Sequence, residues 1–335
     1  MCDVLGFLLY VFMLFSLQLS IVKKNYLSLT LVLLFITFIA AFRGTSGVDT
    51  YMYLLRFDAI NSIFNIPIIE FFIPFLMWCS KVLGGSFITF SILFGLIMSL
   101  TYLYIFKKIP TAIYFGLAMF PVIFIDSLFN GIRIGLAYPF IFLAIYFSSK
   151  QLFLIAFFSH VSAFMILPFK IIPFRYFVFI TILIIGYILY KHINILDYLS
   201  ERYIAKLTRY QDMSTKNIYS GIADSSLMFI SIIIYIRAIG IRGKKFMQWM
   251  FFLLIGTISI HILLISQYTF MLRIIRLYDI VIFALIAKQS TSTDKFSLNL
   301  AFIFGIFYTL NFLRQINSTC SYPIGGFLPL NFNLF

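Results

Sequence analysis

Charge is scarce in this chain: only 11% of its 335 residues are Asp, Glu, Lys or Arg, and only eleven are acidic. So few polar side chains cannot cover a water-soluble globule of this length, which excludes a soluble fold. Cysteine is nearly absent too. Cys2, Cys79 and Cys320 stand alone without CxxC spacing, which argues against a disulfide framework and against a zinc site. The chain has no D-x-D pair, no H-E-x-x-H and no carboxylate cluster at metal-ligand spacing, so a metal-free mechanism without cofactors is the expectation. It also lacks a glycine-rich phosphate loop and a G-x-G-x-x-G turn, so neither ATP hydrolysis nor dinucleotide binding is supported.

What is present is apolar: 62% of residues are hydrophobic, 20% aromatic, 44 of them Phe, and the mean hydropathy is +1.05. Apolar runs near the roughly 20 residues that span a bilayer recur along the whole length. They do not alternate with period two, so an outer-membrane barrel is excluded. The expectation is an all-α polytopic membrane protein, one domain over residues 1–335. It has about ten transmembrane helices, an outer interfacial helix and a re-entrant hairpin. The start, MCDVLGFLLYVF, lacks the basic flank of a signal peptide and reads as the first span.

Three Lys pairs, Lys23-Lys24, Lys107-Lys108 and Lys244-Lys245, belong on the cytoplasmic side. The number of crossings between any two of them must then be even. Spans are expected at 3–22, 26–42, 86–106, 111–125, 131–148, 176–190, 225–239, 246–265, 274–286 and 296–312. The run from Pro67 to Leu83 holds Glu70, Pro74 and Lys81, charges that are costly in hydrocarbon. It reads as an interfacial helix within an outer-face element covering 43–85. The run from Gln151 to Pro168 has a polar centre at Ser159-His160-x-Ser162 and must return to its own side. A pair of half-helices lining a cavity fits it. Residues 191–223 form the one long polar loop, with helical spacing from Leu196 to Leu207.

On this topology eight of the twelve outer cations are Arg, against three of the thirteen inner ones. Lys suffices to set topology, whereas the planar guanidinium suits bidentate grip on phosphate. An Arg-rich outer face therefore calls for an anionic ligand, and a lipid pyrophosphate is the natural one. Arg56, Arg202 and Arg314 read more simply as headgroup contacts. Arg133 leads straight into IGLAYPFIFLAIYF and faces a cost of about 2.5 to 3.5 kcal/mol if unpaired at mid-membrane. Arg273 and Arg276 lie one turn apart and share a helix face. Asp49 follows Gly47 at a span mouth, where it also reads as the N-cap of a helix from Thr50 to Ile60. Asp126 and Asp279 read as partners of nearby Arg.

Four pieces stand in order: Arg43 with Gly47-x-Asp49-x-x-x-Tyr53, Asn130-x-x-Arg133-x-x-x-Ala137, His160-x-Ser162-Ala163, and Arg273/Arg276 with Tyr278. Together they resemble the EpsG-type and Wzy-type bacterial polysaccharide polymerases, although Tyr278 lies two and five residues after the two Arg where the family pattern has three or four. The resemblance implies a multi-pass inner-membrane enzyme whose site faces the periplasm or exterior. Such an enzyme joins oligosaccharide repeat units carried on undecaprenyl pyrophosphate, in O-antigen, capsule or exopolysaccharide synthesis. Its partners would be membrane lipid and the chain-length regulator and flippase proteins of the same pathway, with no nucleic acid.

In such a reaction Arg43, Arg133, Arg273 and Arg276 hold the pyrophosphate, and Asp49 or His160 takes the acceptor proton. Glu70, Tyr53, Arg209, Tyr210 and Tyr278 position the substrate, with the 191–223 loop as a lid. Direct displacement predicts inversion at the anomeric carbon. A flippase or transporter of lipid-linked oligosaccharide is the competing class, and an O-antigen ligase the near alternative among enzymes.

Overall fold

The computed structural model describes residues 3–44, 46–47, 49–67, 70–166, 220–239 and 268–318. Every regular element among them is helical. They fall into two compact units, Met1–Ala163 with Ile280–Phe335, and Phe164–Asp279.

The first unit holds α1 (Val4–Val22), α2 (Tyr26–Ala41), α3 (Thr50–Ala59), α4 (Phe72–Val82), α5 (Phe87–Lys108), α6 (Ile113–Ala118), α7 (Phe120–Phe129), α8 (Ile132–Tyr146) and α9 (Lys150–Ser159). Polar residues start these helices where the apolar runs begin. Asp3 Oδ1 accepts the Gly6 N–H at 3.0 Å, and Asn25 Oδ1 accepts the Leu27 and Ser28 N–H groups at 3.1 Å, satisfying donors that a helix start leaves open. α2 packs along α5, where Thr37 and Ser99 share a buried hydroxyl hydrogen bond of 3.0 Å. Large apolar side chains such as Leu5, Phe12, Leu27, Leu31 and Leu100 stay exposed, as suits helices bathed in lipid.

Two of the three lysine pairs lie at one end, and the third, Lys244-Lys245, lies outside the described residues. The Tyr26 hydroxyl donates to the Phe106 carbonyl at 3.3 Å, which brings Lys23-Lys24 beside Lys107-Lys108. At the same end Thr111 Oγ1 donates to the Ala287 carbonyl at 2.9 Å, and Lys288 reaches the Ile145 carbonyl at 3.3 Å and Ser148 Oγ. α8 therefore descends to the lysine end and α9 leaves from it.

Among the described residues three helices are long and apolar enough to cross a membrane: Val4–Val22, Phe87–Lys108 and Lys295–Asn317. Tyr26–Ala41, Ile132–Tyr146 and Ser226–Ile239 are apolar but shorter. The expected spans at 176–190 and 246–265 lie outside the described residues, as does most of the expected 191–223 loop, whose last four residues are already helical. α4 has eleven residues, about 16 Å, too short to cross a hydrocarbon core of about 30 Å.

The expected span at 111–125 is broken by 67° between α6 and α7. Proline explains the break. Pro121 has no N–H, so it cannot bond the carbonyl of Leu117 four residues back, and its ring crowds that carbonyl. The freed Leu117 oxygen accepts from Gln18 Nε2 at 3.4 Å. It also lies against Gly305 of α12 (Lys295–Ser318), where an added Cβ would sit 1.8 Å from it. Gly305→Ala is expected to push α12 off α6 and to lower stability by about 1–3 kcal/mol, read as a fall in thermal midpoint of the purified protein.

The second unit contributes α10 (Ser220–Ile239) and the first part of α11 (Tyr268–Gln289). Ser231 Oγ links the two by donating to Asp279 Oδ1 at 3.3 Å within a buried setting.

Candidate functional site

The loop after α2 is clamped from within. Arg43 folds back so that Nη1 donates to the Ala40 carbonyl and Nε to the Ser46 carbonyl at 3.1 Å, and its guanidinium lies under the Phe129 ring, 5.5 Å from its centre. Only 2% of it is exposed, and Nη2 has no hydrogen-bond partner. Burial pulls its pKa down to about 10, against the raising effect of Tyr10 and Tyr53, which still leaves it charged at neutral pH. Gly47, with φ +106°, lets the loop press onto the end of α7. Thr50 Oγ1 then donates to the Phe129 carbonyl at 3.0 Å.

This seating brings the first two motifs together. Asn130 Oδ1 accepts the Asp49 N–H at 3.2 Å, while Asn130 Nδ2 donates to Asp126 Oδ1 at 3.3 Å. Asp49 does occupy the N-cap position of α3, but its carboxylate makes no capping hydrogen bond, and it stays half-buried. Four residues on, the Tyr53 hydroxyl accepts from both the backbone N–H and Nε of Arg133, each at 3.4 Å. One of the open donors at the start of α8 is thereby satisfied by a side chain from α3.

Arg133 forms an ion pair through Nη1 with Glu70 Oε2, and Glu70 Oε1 lies 3.5 Å from His160 Nε2. His160 reaches this point because α9 climbs about 15 Å back from the lysine end. His160 Nδ1 accepts the Ser162 N–H at 3.1 Å and also contacts Ser162 Oγ. The side chains of Arg133, Glu70 and His160 are 29%, 14% and 12% exposed, so the guanidinium is the most open of the three. Burial alone would raise the Glu70 carboxyl, but Arg133, His160 and Arg56 together hold it below the usual value. Burial pushes the Tyr53 phenol up, so its proton stays on.

A carboxyl depressed on folding adds stability that is complete above its unfolded value, about 4.3, and is lost as pH falls through the lower folded value. Thermal stability from pH 7 to 3 is therefore expected to fall less in Glu70→Gln than in the wild type. A melting curve against pH in detergent checks this, and parallel curves would remove Glu70 from the acid response.

Of the residues expected from sequence, Tyr53, Glu70, Arg133 and His160 converge, with Asp49 and Arg43 in the loop beneath. Arg273 and Arg276 are one turn apart on α11, in the other unit, with Arg276 half-buried and Tyr278 buried. Arg209 and Tyr210 lie outside the described residues. Arg56, read from the sequence as a headgroup contact, also has its charge acting on Glu70. Its position one helical turn after Tyr53 was the available signal. Asp126 and Asp279, expected to pair with Arg, accept hydrogen bonds from Asn130 and Ser231.

No curated protein and no solved structure matches this chain. The EpsG family model matches residues 26–332, which takes in every residue of the convergent site and nearly the whole length. The chain belongs to the EpsG family, a membrane family of polysaccharide-polymerase type.

Proposed function

We propose that the protein is a membrane glycosyltransferase of the polymerase kind. It joins oligosaccharide repeat units carried on undecaprenyl pyrophosphate, at the outer face of the bacterial cytoplasmic membrane. The observation that carries this reading is the meeting of Tyr53, Glu70, Arg133 and His160 at the end of the first unit away from the lysines. Glycosyl transfer needs a leaving group stabilised and an acceptor hydroxyl deprotonated. Arg133 supplies a partly open fork for the charge that grows on the pyrophosphate, beside groups that handle protons. Buried Arg43 supports it from behind as a positioning residue, holding the loop that carries Asp49 and Tyr53. Arg273 and Arg276 are assigned to phosphate binding on their spacing. The transfer inverts the anomeric centre, because the acceptor displaces the pyrophosphate directly.

Purified protein in nanodiscs, incubated with one lipid-linked repeat unit, tests the reading. A ladder of products supports polymerase. A single addition assigns a ligase or single-sugar transferase instead, and unchanged substrate that moves between leaflets in vesicles assigns a flippase.

A further inference from the structure

Glu70 stands out on backbone geometry as well as charge. Among the described residues three that are not glycine have positive φ: Lys24, Glu70 and Ser148. Lys24 and Ser148 lie just past the ends of α1 and α8, where a left-handed residue commonly terminates a helix. Glu70, at φ +60°, lies instead just before α4. Such strain persists where the surroundings over-determine it, and it clusters at functional positions. Here the conformation aims one carboxylate at two partners from different helices, Arg133 on α8 and His160 after α9.

The tautomer of His160 follows from its neighbours. Nδ1 accepts the Ser162 N–H, so its lone pair is engaged and the ring proton belongs on Nε2, the nitrogen facing Glu70. A histidine arranged this way presents an N–H, not a lone pair, to the carboxylate. It is built to orient the carboxylate. The other carboxylate oxygen is held by Arg133, the group the proposed function gives to pyrophosphate.

We infer that Glu70 is the group that removes the acceptor proton, kept off by its ion pair with Arg133 until the donor pyrophosphate takes the guanidinium. The inference rests on the glycosyl-transfer reading above. A pyrophosphate carries more charge than one carboxylate and matches the guanidinium fork, so it displaces Glu70 Oε2 from Arg133. In the step itself, the acceptor O–H bond breaks and its proton goes to Oε2. The acceptor oxygen then bonds the anomeric carbon. The bond from that carbon to the pyrophosphate oxygen breaks, its electron pair staying on the oxygen beside Arg133. The proton leaves Glu70 to water when the product departs. His160 and Ser162 are positioning residues in this scheme.

The test uses the full chain in nanodiscs, with undecaprenyl pyrophosphate as the binding probe and a lipid-linked repeat unit as substrate. Glu70→Gln is expected to bind the probe more tightly, by about tenfold, because the competing anion is gone. Its turnover is expected to fall by about 10²–10⁴. In Glu70→Ala, added formate is expected to restore part of the lost turnover, a rescue that a merely structural role does not give. His160→Gln keeps a donor toward Glu70 and is expected to retain at least roughly a tenth of wild-type turnover. Turnover in Glu70→Gln within tenfold of wild type overturns the inference and leaves the polymerase reading standing, and so does weaker binding of the probe. If Glu70→Gln does not fold, the absence of formate rescue in Glu70→Ala decides against it. A wild type that leaves the lipid-linked substrate untouched overturns both.

Discussion

Arg133→Ala is expected to abolish polymer while leaving the amount of protein in the membrane unchanged. The guanidinium binds Glu70 through Nη1 and the Tyr53 hydroxyl through Nε, and it remains 29% exposed toward an incoming ligand. Loss of one preorganised donor at a developing negative charge typically lowers turnover by about 10²–10³. Here the loss is larger, because Ala also leaves Glu70 without its cationic partner, and a half-buried carboxylate tends to regain a proton when its charge is no longer compensated. Arg133→Lys separates charge from shape. It keeps the positive charge but loses the planar fork, so it cannot hold the Tyr53 hydroxyl and a phosphate in one plane. An intermediate chain-length distribution is expected from it, with turnover down by about ten- to a hundredfold. Glycan ladders from cells carrying each variant, read beside membrane immunoblots, check both. Full-length polymer from Arg133→Ala would sink its role as the charge stabiliser.

Gly47→Ala is expected to be the most damaging conservative change in the loop. The residue has φ +106°, a conformation that L side chains rarely adopt, costing about 1–3 kcal/mol on its own. In addition an Ala Cβ would lie 1.7 Å from the Phe129 carbonyl oxygen and 2.5 Å from Thr50 Oγ1. The backbone oxygen cannot step aside without moving the end of α7. The loop must therefore lift, breaking the Thr50–Phe129 and Asp49–Asn130 hydrogen bonds and withdrawing Tyr53 from Arg133. Gly84→Ala is the matched control. Gly84 also has positive φ, +73°, but an added Cβ there meets nothing within 4 Å. Strain without collision is expected to leave polymer length near normal in Gly84→Ala, while Gly47→Ala loses polymer and melts at a lower temperature. Equal effects in the two would mean that the seat on Phe129 carries nothing.

Much of the site was legible as a set of places where polar residues interrupt apolar runs. Tyr53, Arg133 and His160 each stand at such an interruption, and the rarity of charge made each conspicuous. Glu70 was visible for the same reason, yet the sequence reading made it a positioning residue, because nothing local shows what a carboxylate faces. Its two partners lie 63 and 90 residues further on. Arg43 shows the reverse limit. Its place at the mouth of a span suggested an exposed phosphate ligand, whereas packing against Phe129 and the loop carbonyls encloses it. Arg56 fell to the simpler headgroup reading because exposure, not identity, separates the two roles.

Composition by itself determined that this chain belongs in a membrane, since transfer of apolar surface out of water sums over residues regardless of their order in space, and the unbroken apolar runs made it helical. The pairs Lys23-Lys24 and Lys107-Lys108 predicted which of their helix ends lie together, and Pro121 stood in the sequence as a residue that cannot continue a helix's hydrogen bonds. What the tertiary structure decided is where Pro121 breaks its span, which arginine is buried and which is open, and that Glu70 sits between Arg133 and His160. Those outcomes depend on distances of a few ångströms between residues remote in the chain. Only the packing of one helix against another sets such distances.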